Sequence, residues 1–137
     1  MRLRVEGIAE VLSMLDRAGK VEKKIDALRR DFAFGTHAKI IRQTPVAPGG
    51  GFLRSANIVA VQGDEAVWAN PANYARYVDL GTGRRGAASW QQYLPEEEPV
   101  AYATYWAGME AQPFMRQPIA AGLDKLDRRI DEIAKDI

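Results

Sequence analysis

Residues 58–68 read Ile-Val-Ala-Val-Gln-Gly-Asp-Glu-Ala-Val-Trp. Two short runs rich in Val, Ile and Ala, 58–61 and 66–68, flank a polar, glycine-containing tetrapeptide at 62–65. That pattern predicts a β-hairpin. Immediately upstream, Thr-Pro-Val-Ala-Pro-Gly-Gly-Gly-Phe at 44–52 is the strongest breaker cluster in the chain. Two prolines and three consecutive glycines exclude a helix or a central strand there and predict a flexible loop at about 45–52.

Further upstream the periodicity turns helical. Val21, Ile25, Leu28 and Phe32 recur at steps of 4, 3 and 4, so residues 20–43 read as a long helix that Pro45 stops. The stripe shifts to Phe34, Ala38 and Ile41 past Gly35, which predicts a bend near Gly35-Thr36. Ile8, Val11, Leu12 and Leu15 suggest an earlier helix ended by Gly19, and Arg-Leu-Arg-Val at 2–5 a short edge strand.

Downstream, Asn70-Pro71-Ala72-Asn73 predicts a turn, 74–80 a short helix, about 82–99 an irregular extension, and 100–106 a third substantial strand. Pro113 suits a first helical position. Ile119, Leu123, Leu126, Ile130, Ile133 and Ile137 then repeat at 4, 3, 4, 3 and 4, beneath a charged face. The order predicts one α+β domain spanning 1–137. A small, mostly antiparallel sheet packs on the long helix and the C-terminal amphipathic helix.

Composition narrows the chemistry. The chain has 137 residues, no Cys and one His, which excludes disulfides, thiolate metal sites and a multi-histidine cage. The net charge is +1, so there is no global basic field. No run of about 20 apolar residues is present to span a membrane, and Glu6 and Glu10 interrupt any signal core. The expectation is a soluble, unsecreted protein.

Gly81-Thr82-Gly83-Arg84-Arg85-Gly86 matches G-x-G-x-x-G, but too little chain follows for the crossover helix of a dinucleotide site. A flexible basic loop is the expected alternative. Glu96, Glu97 and Glu98 lack spaced companion ligands and read as a solvated acidic loop or a charge patch for a partner. His37 has no motif aligning it with Ser13, Ser55 or Ser89. No catalytic residue, metal ligand or cofactor site is predicted.

Three segments, in order, carry a resemblance. They are Thr44-Pro45-Val46 with the glycine loop and Leu53-Arg54-Ser55; Tyr74-Ala75-Arg76-Tyr77-Val78-Asp79-Leu80-Gly81-Thr82; and Gln112-Pro113-Phe114-Met115-Arg116-Gln117-Pro118. Together they resemble the head–tail joining, or tail-completion, proteins of long-tailed double-stranded DNA bacteriophages, over about residues 20–130. The chain departs from that family's pattern at Ala47-Pro48-Gly49, at Leu80 and at Gln117.

The resemblance implies a non-enzymatic virion subunit without cofactors, forming a ring, expected to be a hexamer, in the neck or at the top of the tail. Its implied partners are copies of itself, the tail tube or tail terminator protein, the head connector or head-closure protein, and genomic DNA passing through the lumen without sequence specificity. No membrane is involved, and assembly takes place in the host cytoplasm. Phe52, Leu53, Arg54, Asp79, Arg84, Arg85 and Arg116 are the expected contact residues. Tyr77, Phe114, Leu123, Leu126 and Ile130 are the expected core. Arg116 is expected to reach an acidic partner, with Asp79 the candidate, and, if that pair is exposed, to serve assembly more than folding. The alternative reading is a nucleic-acid-binding module using helix 20–43 and Arg84-Arg85.

Overall fold

The computed structural model describes residues 1–5, 27–46, 51–62, 65–89, 93–95 and 97–135. Strand β1 (Arg2–Val5) and the hairpin strands β2 (Ile58–Gln62) and β3 (Glu65–Ala69) form an antiparallel sheet in the order β1-β3-β2. The hairpin and the short N-terminal edge strand are as the sequence predicts. Leu3 pairs with Trp68 and Trp68 with Val59, while Val5 pairs with Ala66 and Ala66 with Val61. Alternation puts this set on one face, and Leu3, Ala66 and Trp68 are buried there. On the other face Arg4 and Glu65 approach to 3.5 Å.

The long N-terminal-half helix packs against that buried face. Residues 27–30 are helical, a π-helical turn covers Asp31–Gly35, and α1 (Thr36–Gln43) continues the helix. The stripe does not shift at Gly35 as expected, because the widened turn adds one residue and keeps positions four apart on the same face. Phe32, Ala33, Thr36 and Ile40 are buried, whereas Phe34 is 52% exposed and Ala38 lies on the surface. Trp68 shows why the phase matters. Its indole N–H donates to the Ala33 carbonyl at 3.0 Å, and its ring meets Phe32 edge-on with centroids 5.3 Å apart.

The remaining helices are α2 (Phe52–Ser55), α3 (Ala75–Leu80), α4 (Gly83–Ala88) and α5 (Arg116–Lys135). Helix α5 lies on α1, with Ile119 and Leu126 buried and Leu123, Ile130 and Ile133 packed at the core margin. Gly122 permits the close approach. A Cβ there would stand 2.6 Å from the Thr36 hydroxyl oxygen and 3.3 Å from the Phe32 ring. The regular helix begins at Arg116, three residues after Pro113; Pro118, in its first turn, needs no N–H partner. The molecule is α+β, with a small antiparallel sheet and a long C-terminal helix.

Two expectations fail in the segment after α3. Residues 100–106 form no strand. Their apolar and aromatic side chains suit a sheet, but β1 already occupies the free side of β3, and the carbonyls of Trp106 and Ala107 accept from the Arg84 and Arg85 amides. The extension from 82 is also not uniformly irregular, because α4 forms inside it. Residues 6–26, 47–50, 63–64, 90–92, 96 and 136–137, which carry the expected first helix, most of the glycine loop and Ile137, lie outside the described residues.

Candidate functional site

The three motif segments meet at one end of the sheet, where β1 starts and β3 ends. The Met1 and Asn70 backbones join there, with the Asn70 amide donating to the Met1 carbonyl at 3.0 Å. Two polar centres are built around that junction.

The first is neutral. Thr44 ends α1, and its hydroxyl donates back to the Ile40 carbonyl at 2.6 Å. The Asn57 side-chain amide donates to the Thr44 hydroxyl at 2.8 Å and to the Arg54 carbonyl at 3.1 Å. Asn70, fully buried, donates to the Leu53 carbonyl at 2.8 Å and to the Asn57 side-chain oxygen at 3.0 Å, and its own oxygen accepts from the Ala72 amide at 3.1 Å. Arg54 donates to the Thr44 carbonyl at 2.9 Å. The bonds to the Thr44, Leu53 and Arg54 carbonyls and from the Ala72 amide satisfy backbone groups at the end of α1, in α2 and just after β3, and the side-chain bonds among Thr44, Asn57 and Asn70 link them.

The second centre is charged. On α3, Ala75 and Asp79 share the inward face one turn apart, so the Asp79 carboxylate points at the start of α5. Its Oδ1 accepts from the Met115 amide at 2.9 Å and the Arg116 amide at 3.3 Å, capping the helix from outside. Its Oδ2 accepts from the Arg116 guanidinium. The other edge of that guanidinium grips Glu97, with Nε to Oε1 at 2.9 Å and Nη2 to Oε2 at 2.6 Å. Burial pushes the Asp79 carboxyl above its ordinary value, against the pull of Arg116 and the two amides. Burial also acts to raise Glu97, but Arg116 outweighs it and holds that carboxyl below its ordinary value. Burial and the neighbouring Tyr93 push the Tyr102 phenol up to about 12, and its hydroxyl donates to the Leu80 carbonyl at 2.6 Å.

This geometry corrects several expected roles. Asp79 and Arg116 do pair, but with side chains 0% and 5% exposed, so neither is a surface contact residue and Arg116 holds the fold. Removing one partner of such a pair costs about 3–5 kcal/mol. Leu53 is buried in the core instead of anchoring a partner, because α2 turns Leu53 inward and leaves Phe52 64% exposed. Arg54 stays exposed while also donating to the Thr44 carbonyl at the end of α1. Tyr77 is 59% exposed, not core: it sits two residues from both Ala75 and Asp79, on the opposite side of α3. Phe114 and Leu126 are buried as expected, and Arg84 and Arg85 are exposed on α4.

The glycine motif has a structural use. Gly81, Gly83 and Gly108 adopt positive φ, and residues 81–86 cross residues 106–111 backbone to backbone. A Cβ on Gly81 would stand 2.7 Å from the Met109 carbonyl oxygen, and one on Gly108 would fall on the Thr82 carbonyl. The Arg84 and Arg85 amides are already bonded to the Trp106 and Ala107 carbonyls at 3.0 and 2.8 Å, so the α4 start offers no cradle for a phosphate.

The crossing frames an apolar groove of about 260 Å³ between α3 and residues 100–106, lined by Tyr77, Leu80, Val100, Ala103 and Trp106 with Arg76 at its side. A second cleft of about 210 Å³ lies across α3, where Val46, Phe52, Tyr74 and Val78 meet. Both grooves border α3, one along Tyr77 and the other along Tyr74. His37 is set apart: burial lowers its pKa, and its Nδ1 has no hydrogen-bond partner among the described residues. The Ser55 and Ser89 hydroxyls donate to the Phe52 and Gly86 carbonyls; Ser13 lies outside the described residues.

Comparison of the chain with protein-family models, with curated proteins and with solved structures returns no match. Among the described residues no group of three His, Asp or Glu side chains could hold a metal ion, and no helix is long and apolar enough to cross a membrane.

Sequence reasoning missed Glu97, Asn57, Asn70 and Tyr102. Asn70 carried a signal, since a polar residue directly after a buried strand and before proline suits a side chain that satisfies loop backbone. Glu97 carried none, because its neighbours Glu96 and Glu98 hide which carboxylate turns inward.

Proposed function

We propose that this chain is a non-enzymatic structural subunit of a long-tailed bacteriophage particle. In this reading six copies form a ring in the neck or at the top of the tail. The ring joins the tail tube or its terminator to the head connector, and the genome passes through the lumen. The observation that carries the reading is the meeting of the three motif segments. Thr44, Leu53 and Arg54 close one polar centre, and Asp79 of the second segment holds Met115 and Arg116 of the third. The residues behind the resemblance are thus those on which this fold depends.

The surface supports an assembling subunit. Val46, Phe52, Tyr74, Tyr77, Tyr105 and Trp106 are each at least 41% exposed, and large exposed apolar side chains that gather into patches mark interaction surfaces. A ring closes by heterologous contacts between different faces of successive copies. The near-neutral charge suits a conduit, where strong phosphate attachment would impede passage.

The test is genetic. In the virus that encodes the chain, deleting its gene is expected to leave filled heads and finished tails unjoined, and added purified protein is expected to join them. Joined, infectious particles formed without the protein would overturn the reading.

A further inference from the structure

We propose that the cavity between α1 and α5, at the π-helical turn, binds a phosphate dianion, either inorganic phosphate or the terminal group of a phosphate monoester. The inference goes beyond the neck assignment and does not rest on it.

The cavity exists because glycine stands on both sides of it. Gly35 and Gly122 line it without side chains, and a Cβ on Gly35 would meet nothing within 4 Å. Phe32 and Leu126 form its buried apolar side. Its volume is about 60 Å³. One water needs roughly 10–15 Å³, and an organic-ligand pocket has roughly 300–1,000 Å³. The size calls for a compact ion. The π-helical turn that shapes one wall is a feature that recurs at functional sites.

Charge sets the sign of that ion. Lys39 of α1 and Lys125 of α5 line the cavity from the two facing helices. Neither makes an ion pair or hydrogen bond among the described residues. Their own helices offer them no acid. The positions three and four residues from Lys39 hold Gly35, Thr36, Arg42 and Gln43. Those around Lys125 hold Ala121, Gly122, Arg128 and Arg129, while Asp124 and Asp127, one and two residues away, lie on other sides of the helix. Asp31 is the only acid among the described residues that line the cavity, and Arg129 holds it at 2.7 Å. Two lysine charges therefore stand unbalanced beside an apolar wall.

Thr36 supplies a third group. It is 3% exposed, its hydroxyl faces Gly122 in the lining, and that hydroxyl makes no hydrogen bond among the described residues. A polar group held out of bulk water without a partner costs stability, and a ligand oxygen offsets that cost. Two ammonium groups and a hydroxyl, drawn from both helices, suit an ion with several charged oxygens. A phosphate dianion matches both unbalanced charges. A carboxylate brings one charge. A phosphodiester also brings one, and carries a substituent on each side that a cavity of this size does not take.

The experiment titrates inorganic phosphate into the purified full chain by calorimetry, at constant ionic strength and above the second phosphate pKa of about 6. One saturable site per chain is expected. Lys39→Gln/Lys125→Gln should bind at least about tenfold more weakly. Arg84→Gln/Arg85→Gln removes the same charge outside the cavity and should bind like wild type. Thr36→Val should weaken binding without lowering the melting temperature in phosphate-free buffer. Displacement of phosphate by 5′-phosphorylated oligothymidine would identify a monoester terminus as the ligand, and no displacement would identify the free ion. No saturable binding, unchanged affinity in the lysine or threonine variant, or equal weakening by the arginine variant would overturn the proposal. So would displacement by oligothymidine with a 5′-hydroxyl. A failed titration leaves the gene-deletion result standing, and the reverse holds as well.

Discussion

Thr44, Asn57 and Asn70 bind the ends of α1, α2 and β3 together through neutral hydrogen bonds, whereas Asp79, Arg116 and Glu97 join α3, α5 and the segment before residue 100 through charge. The two centres lie at the same end of the sheet and do the same work, which is to satisfy backbone that regular structure leaves open. They differ in what happens when one member is lost. A neutral centre leaves an unpaired dipole, while a charged one leaves an unpaired ion out of water.

Asp79→Ala is therefore the most damaging change to either centre. It takes one of its two carboxylates from the buried Arg116 guanidinium, leaving Glu97 alone to hold it, and uncaps α5, and urea unfolding should show a loss of about 3–5 kcal/mol. Stability within about 1 kcal/mol of wild type would mean that the pair is solvated and worth no more than a surface bridge. Asn70→Ala tests the neutral partner. It leaves the Leu53 carbonyl and the Ala72 amide unsatisfied, for an expected loss of about 1–3 kcal/mol. That loss should not vary between acid and neutral pH, because no charge changes.

Glu97→Gln separates the centres by pH. A carboxyl held below its ordinary value contributes stability above that value and loses it as pH falls through the lowered one. Asp79, raised by burial, contributes with the opposite sign: its share is full at low pH and is lost as pH rises through the raised value. Glu97→Gln should thus cost some stability at neutral pH and flatten the acid limb of the stability profile. An unchanged acid limb would show that Glu97 is not what acid releases. The smallest effect belongs to the half-exposed Arg129–Asp31 bridge between α5 and the π-helical turn. Arg129→Ala should shift stability by about 1 kcal/mol or less, and high salt should erase the difference.

Legibility in the sequence followed periodicity. The hairpin, β1 and the stripe from Ile119 through Ile133 repeat at two or about 3.6 residues, and those elements stand where the sequence puts them. Residues 81–112 repeat at neither period. The crossing of 81–86 with 106–111 depends on Gly81, Gly83 and Gly108 letting two backbones approach, and that is a long-range fact no local pattern encodes. The charged centre was half legible. Asp79 and Arg116 stand out in short motifs, but their burial depends on which side of α3 faces α5, and the large Tyr77 misleads a reader who equates size with core. The π-helical turn has the same character, since its extra residue keeps Phe32, Thr36 and Ile40, at steps of four, on one buried face.

The most direct test of the functional account is a count. Electron cryomicroscopy of assembled particles, with the chain located by a bound antibody fragment, should find six copies closing a ring between the tail tube and the head connector. A single copy per particle, or no copy at the neck, would contradict the account.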